Sequence, residues 1–242
     1  MSGQEATTPP EAVRRSPASP TSGEESLRRR LLEILLTPAE QREVMRYPGT
    51  RPRMTYEEFL AWADEDTLAE WVDGEVVMYS PASDRHQDIS DFLESVLRSF
   101  VEARQLGIVR SAPFQMKLEQ GREPDLLFVA RERLERLKET YLSGPAGLVV
   151  EIVSPESVGR DRGTKFREYE RAGIPEYWLI DPQTKRAEFY RLTENEQYRL
   201  VPPDGEGIYG SAVLHGFWLR VAWLWQTPLP SVIDVLHELG LI

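Results

Sequence analysis

The chain of 242 residues contains no cysteine. That excludes a disulfide scaffold, thiolate zinc sites and a cysteine nucleophile, and it fits a reducing cytosol. Histidine is scarce as well: of the three, His215 and His237 lack ligand spacing to anything. Long apolar runs are missing, so no stretch has the length of a membrane span. The N-terminus lacks the apolar core of a secretory signal. The expectation is a cytoplasmic protein with no membrane partner. Positive charge is also short: 29 Lys and Arg face 40 Asp and Glu, for a net charge of -11. Such a field repels polyanions as a whole. Any contact with nucleic acid must then come from a local basic patch or from bound metal ions.

What is present suits one compact domain with appendages, since 40% of the residues are apolar. Residues 1–25 are rich in Pro, Ser, Thr, Gly and Glu and read as a disordered tail. Residues 26–53 read as a helical N-terminal extension, with Leu27, Leu31, Leu32, Leu35 and Leu36 at helical spacing. That extension is a packing appendage or a helix that recruits a protein partner. Residues 54–242 form the main domain. There, Thr55 with Glu58 makes a capping box. Asp73-Gly74 supplies the tight turn of a hairpin over residues 69–79. A helix is expected over His86–Arg104, with an apolar stripe from Ile89 to Val101. Strands follow near Ile108–Ser111, Phe114–Leu118 and Leu126–Ala130, then a charged helical turn over Glu132–Lys138. Leu148–Val153 reads as a strand buried on both faces. A helix over Thr164–Ala172, capped by Thr164 and closed by Gly173, leads to a central strand at Glu176–Asp181. A hairpin, a short strand at Ala212–Leu214, an aromatic segment at Phe217–Trp225 and a helix over Pro230–Leu239 complete the chain. The order predicts a mixed α/β fold, a central mixed sheet flanked by helices.

Two of these apolar strands each carry a carboxylate, Asp125 and Glu151. A carboxylate on a strand built for burial is costly unless it is paired or binds a cation. If the strands are neighbours, both converge at one edge of the sheet. Two carboxylates with open coordination positions suit a hard divalent cation that keeps several waters. Such an ion lowers the pKa of a water and stabilises phosphate charge, which points to phosphodiester chemistry. Lys165 can orient the attacking water or stabilise the developing charge. Glu70, beside Trp71, can add a third carboxylate behind the first two; a surface strand residue is the equally weighted alternative. His86 reads as an exposed residue at a helix start, with a proton shuttle as the lesser option. Arg160, Arg162, Lys165 and Arg167 form the densest basic cluster nearby, where a phosphate backbone would dock. The interleaved Asp161 and Glu168 favour a solvated loop instead.

Pro124-Asp125, Val150-Glu151-Ile152-Val153-Ser154-Pro155, Asp161, Lys165-Phe166-Arg167-Glu168-Tyr169 and Ala172 to Pro182 together resemble the PD-(D/E)XK nuclease superfamily. More narrowly, they are similar to the bacterial Uma-type family labelled "putative restriction endonucleases". The likeness covers about Met54 to Leu239. It implies a restriction-endonuclease-like core and Mg²⁺-dependent (or Mn²⁺-dependent) cleavage of DNA, with a homodimer as an expected assembly. It also implies that Asp125 and Glu151 are metal ligands, Glu70 an accessory acid and Lys165 the catalytic lysine. One departure stands out: the superfamily's lysine lies two residues after the glutamate, where this chain has Val153. The alternative from a different class is a catalytically inactive nuclease-fold module used for DNA binding or protein assembly.

Overall fold

The computed structural model describes residues 53–63, 67–78, 83–155 and 157–242. The expected tail (1–25) and all but Arg53 of the expected helical extension (26–53) lie outside the described residues. The described part belongs to one compact unit, Arg53–Ile242.

Helix α1 (Tyr56–Trp62) starts at the expected capping box, with the Thr55 and Glu58 side chains each reaching the other's backbone N–H. Strands β1 (Ala69–Val72) and β2 (Glu75–Met78) form the expected hairpin, paired Val72 to Glu75 across the turn. Asp73 and Gly74 both adopt positive φ there, 50° and 85°, as the tight turn requires. Helix α2 (Asp84–Ala103) is capped by Ser83 and buries Ile89, Phe92, Leu93, Val96, Leu97 and Phe100 on one stripe.

The remaining strands are β3 (Gly107–Ser111), β4 (Gln115–Lys117), β5 (Gly121–Arg122), β6 (Leu126–Ala130), β7 (Tyr141–Ser143), β8 (Leu148–Ile152), β9 (Glu176–Asp181), β10 (Arg186–Leu192), β11 (Tyr198–Leu200), β12 (Ile208–Gly210) and β13 (Trp218–Arg220). The central mixed sheet has the order β11-β10-β9-β8-β6-β3. All its neighbours are antiparallel except β8 and β9. A second sheet, β2-β1-β5-β4-β7, was not foreseen as a separate unit, and β12 pairs with β13 alone.

Every residue of β8 and β9 is buried, as their unbroken apolar runs predict. Alternation then divides their side chains. Leu148, Val150, Ile152, Trp178 and Ile180 join the α2 stripe and the C-terminal aromatic segment. Val149, Val153, Tyr177 and Leu179 face the other way, with Tyr169, Ile174 and Met116. A parallel pair such as β8–β9 needs a crossover connection. Here residues 158–171 supply it and place Tyr169 in that second cluster.

Two expectations are corrected. The crossover helix does not begin at Thr164: it is helical from Val158, runs as a π-helix over Arg160–Lys165 and continues as helix α3 (Phe166–Arg171). The Ser-Pro run before it ends earlier than the Thr-Lys pair suggests, so Thr164 lies inside the helix. Gly173, with φ 75°, closes it as expected. Ala212–Leu214 is not a strand. The N–H groups of Ala212 and Val213 are taken by the buried Glu176 carboxylate, and the pairing falls instead to β12 and β13. The chain ends with a 3₁₀ turn, Val221–Trp225, and helix α4 (Val232–Glu238).

Candidate active site

Strands β6 and β8 are antiparallel neighbours, in the register Leu126 to Val150 and Leu127 to Val149. One further step along that register sets Asp125 opposite Glu151. Because side chains alternate, Glu151 shares the face of Val149 and Val153, over which the crossover helix runs. On that helix Asp161, Lys165 and Tyr169 recur every fourth residue. Helical geometry therefore stacks them on one face, and all three are buried.

The Lys165 ammonium lies 3.0 Å from both carboxylate oxygens of Glu151. It is 2.9 Å from Glu70 Oε1 and 3.7 Å from Asp161 Oδ1. Tyr169 donates its hydroxyl to Glu151 Oε1 at 2.6 Å. Val153, at the superfamily's usual lysine position, is buried among apolar side chains. The ammonium thus reaches the glutamate from the adjoining helix rather than from the strand.

Asp125 accepts the Ile152 N–H at 2.6 Å, and its other oxygen lies 3.4 Å from His86 Nε2. His86 stands in the first turn of α2 and is only partly exposed. Burial disfavours its charged form, but the hydrogen bond and charge of Asp125 outweigh that and shift its pKa upward.

Glu70 is fully buried on β1. It accepts from Arg122 Nη1 at 2.9 Å and from the Glu123 N–H at 3.2 Å. Arg122 is itself buried and reaches Glu168 on α3. The Glu70–Arg122–Glu168 chain ties the second sheet to the crossover helix. It also holds Glu70 behind Lys165, away from the cavity wall. Arg162, counted in the basic cluster, turns instead to Asp181 and Glu188.

Asp125, Glu151, Lys165 and His86 line one cavity of about 320 Å³, together with Glu123, Asp161, Arg160, Ser154 and Ser157. Glu123 was passed over as a site residue. Its signal was its spacing: two residues before Asp125, it shares that residue's side of an extended chain. It accepts from Gln115 Nε2 at 2.7 Å. Burial, and then the Glu70 charge, push its pKa up to about 8. The interleaved charges around Asp161 favour a solvated loop, but the structure buries it one turn before Lys165, a spacing of four that puts both on one helical face. Burial raises the pKa of Asp161, and Lys165 partly opposes that. Burial likewise drives Glu151 well above the carboxylate range; Lys165 opposes it, while Asp161, Asp125 and Glu70 add to it.

The donor set suits a hard cation. The oxygens it presents are carboxylate oxygens, and mutual repulsion among buried acids would be relieved by added positive charge. Asp161 Oδ1 is buried without a hydrogen-bond partner. Among the described residues no three carboxylate or imidazole groups converge as a metal cage.

Residues 56–222 match the family Uma2, described as "Putative restriction endonuclease". "Uncharacterized protein slr1290" of Synechocystis sp. (strain ATCC 27184 / PCC 6803 / Kazusa) is 24% identical over 153 residues, covering 62% of this chain and 80% of that protein. Among solved structures, "a putative nuclease belonging to DUF820" from Anabaena variabilis ATCC 29413 superposes with a TM-score of 0.61 at 17% identity. That match covers 71% of this chain and 97% of the other. It shows that the two share a fold. No helix among the described residues is long and apolar enough to cross a membrane.

Proposed function

Because this chain belongs to the Uma2 family, described as "Putative restriction endonuclease", we propose that it is a metal-dependent endonuclease that hydrolyses DNA phosphodiesters. The observation that carries the reading is the meeting of Asp125, Glu151 and Lys165 on one cavity, brought there by three separate elements. Asp125 and Glu151 would hold the ion, Mg²⁺ or Mn²⁺. When bound, such an ion would supply Lewis-acid stabilisation of phosphate charge and activate the nucleophilic water. Lys165 presents its ammonium beside Glu151, where it orients the attacking water and offsets charge on the phosphoryl oxygens. Water oxygen bonds to phosphorus as the bond from phosphorus to the leaving sugar oxygen breaks; the water gives up a proton and the leaving oxygen takes one up, so one water is added across the P–O bond.

Glu70 acts through Lys165 as a positioning residue, since it is buried behind the ammonium and does not line the cavity. Tyr169 orients Glu151 in the same indirect way. One observation favours the alternative, a nuclease-fold module that binds DNA or a protein partner without cutting. The Lys165 ammonium is surrounded by Glu70, Glu151 and Asp161, so its charge is already balanced.

The test is cleavage of circular single-stranded DNA and supercoiled plasmid by the full chain with Mg²⁺, Mn²⁺ or EDTA, alongside Glu151→Gln. Metal-dependent cutting that the variant loses supports hydrolysis at this site. Cutting that Glu151→Gln retains would assign the activity elsewhere. Absence of cutting on both substrates, with no Mn²⁺ binding by calorimetry, leaves the inactive module as the correct reading.

A further inference from the structure

One wall of the cavity is formed by the α2 cap Ser83 and a polar stripe of α2: His86, Gln87, Ser90, Asp91 and Glu94. These positions recur at helical spacing on one side of the helix, beside the buried apolar stripe. The stripe has no lysine or arginine. The cation one turn on, Arg98, pairs with Glu94, and Asp91 accepts from Gln87. Across the cavity, Ser154 and Ser157 bond each other's backbone N–H groups, and Arg160 follows. Among the described residues lining the cavity, the α2 wall contributes Asp91 and Glu94, and the fixed cations are Arg160 and Lys165, of which Lys165 already sits among Glu70, Glu151 and Asp161. Leu68 adds an exposed aliphatic surface to the same lining, 38% accessible.

This arrangement discriminates between forms of nucleic acid. A duplex carries one negative charge per ~1.7 Å of axis, about twice the linear density of one strand, and proteins that hold duplexes often neutralise about 6–10 phosphates with Lys and Arg. Among the described residues, the cavity lining offers one arginine beside the ion site and a carboxylate-bearing wall facing it. Its volume of about 320 Å³ is at the small end of ligand pockets, suited to one nucleotide rather than to a base pair. We propose that the substrate is an unpaired strand — a single strand, a flap or a frayed end — with one phosphate carried between the Ser154–Ser157–Arg160 side and the ion site. The nucleotide's sugar or base rests on Leu68. The α2 wall, through Asp91, holds off the second strand.

This inference rests on the nuclease reading, and its test separates the two. Fluorescence anisotropy of the full chain with Ca²⁺, used as a non-hydrolysing ion, is measured on a labelled single strand and on the blunt duplex of the same sequence. The expected result is at least tenfold tighter binding of the single strand, and the same preference in cleavage rate with Mn²⁺. Asp91→Lys, an exposed helical position, is expected to narrow that ratio by raising duplex affinity. Equal or tighter binding of duplex by the wild-type chain, or a ratio that Asp91→Lys leaves unchanged, overturns the inference. Metal-dependent cutting of duplex alone would overturn it while leaving the nuclease reading standing. Failure to bind or cut either form overturns both.

Discussion

Replacing Lys165 by methionine removes the one ammonium from a buried cluster of acids and keeps most of its apolar stem. In the native site that ammonium lies 2.9 Å from Glu70, 3.0 Å from Glu151 and 3.7 Å from Asp161. At an effective dielectric near 20, a single contact at 3 Å has a gross Coulomb energy of roughly 5 kcal/mol. The measured cost must be smaller than the gross sum, because a buried acid left alone takes up a proton instead of staying charged. Glu70 also keeps Arg122. Loss of one partner from a buried pair typically costs about 3–5 kcal/mol, and that is the expected destabilisation of Lys165→Met at pH 8 in EDTA, read from urea denaturation. At pH 5.5 the cost is expected to shrink, since protonation of Glu151 and Asp161, both already shifted upward, removes the uncompensated charge. The double variant Lys165→Met/Glu151→Gln should be more stable than the two single effects summed, with a coupling of about 2–3 kcal/mol. A Lys165→Met protein within about 1 kcal/mol of wild type at pH 8, or strict additivity in the cycle, would refute an ammonium that holds these carboxylates together.

Glu123 has a folded-state pKa raised to about 8 from 4.5. Because the folded state binds its proton more tightly than the unfolded one, stability falls as pH rises from about 4.5 through about 8, by up to about 5 kcal/mol. Glu123→Gln should flatten that slope in EDTA, and an unchanged slope would assign the pH dependence to another group. Glu176 accepts from Trp178 at 2.6 Å, Tyr209 at 2.9 Å, Ser211 at 3.0 Å, and the N–H groups of Ala212 and Val213 at 2.9 and 3.0 Å. Glu176→Ala leaves these donors unsatisfied and should cost about 3–5 kcal/mol in chemical denaturation; a cost under about 1 kcal/mol would mean water replaces the carboxylate freely. Tyr169→Phe removes one donor to Glu151 and should cost about 1–2 kcal/mol, with a lower kcat on oligonucleotides and an unchanged KM. A change confined to KM would contradict an orienting role.

Much of this molecule can be read from local pattern. The capping box at Thr55, the Asp73-Gly74 turn, the α2 stripe and the doubly buried runs at Leu148 and Glu176 each follow from periodicities of 3.6 or 2 and from the few residues that tolerate special backbone angles. The strand acids Asp125 and Glu151 stand out for the same reason, as charges where burial is expected. The second sheet is less legible: its hairpin and β4 follow from local pattern, but β5 and β7 have only two or three residues each and leave too little pattern to detect. Thr164 misled because a threonine before a basic residue resembles a cap, whereas the crossover had already become helical.

By itself the amino-acid order determined most of the longer helices and strands and which of them carried a carboxylate into an apolar setting, since those properties depend on neighbours a few residues away. Only the tertiary structure decided that β6 lies beside β8. It alone decided that the crossover passes over the Glu151 face rather than the α2 face, and that Glu70 backs Lys165 while Glu123 joins the cavity. Those outcomes depend on strand order and on long-range charge pairs such as Arg122 with Glu70 and Glu168. Residues that meet in this way are dozens of positions apart, and no local periodicity records the meeting.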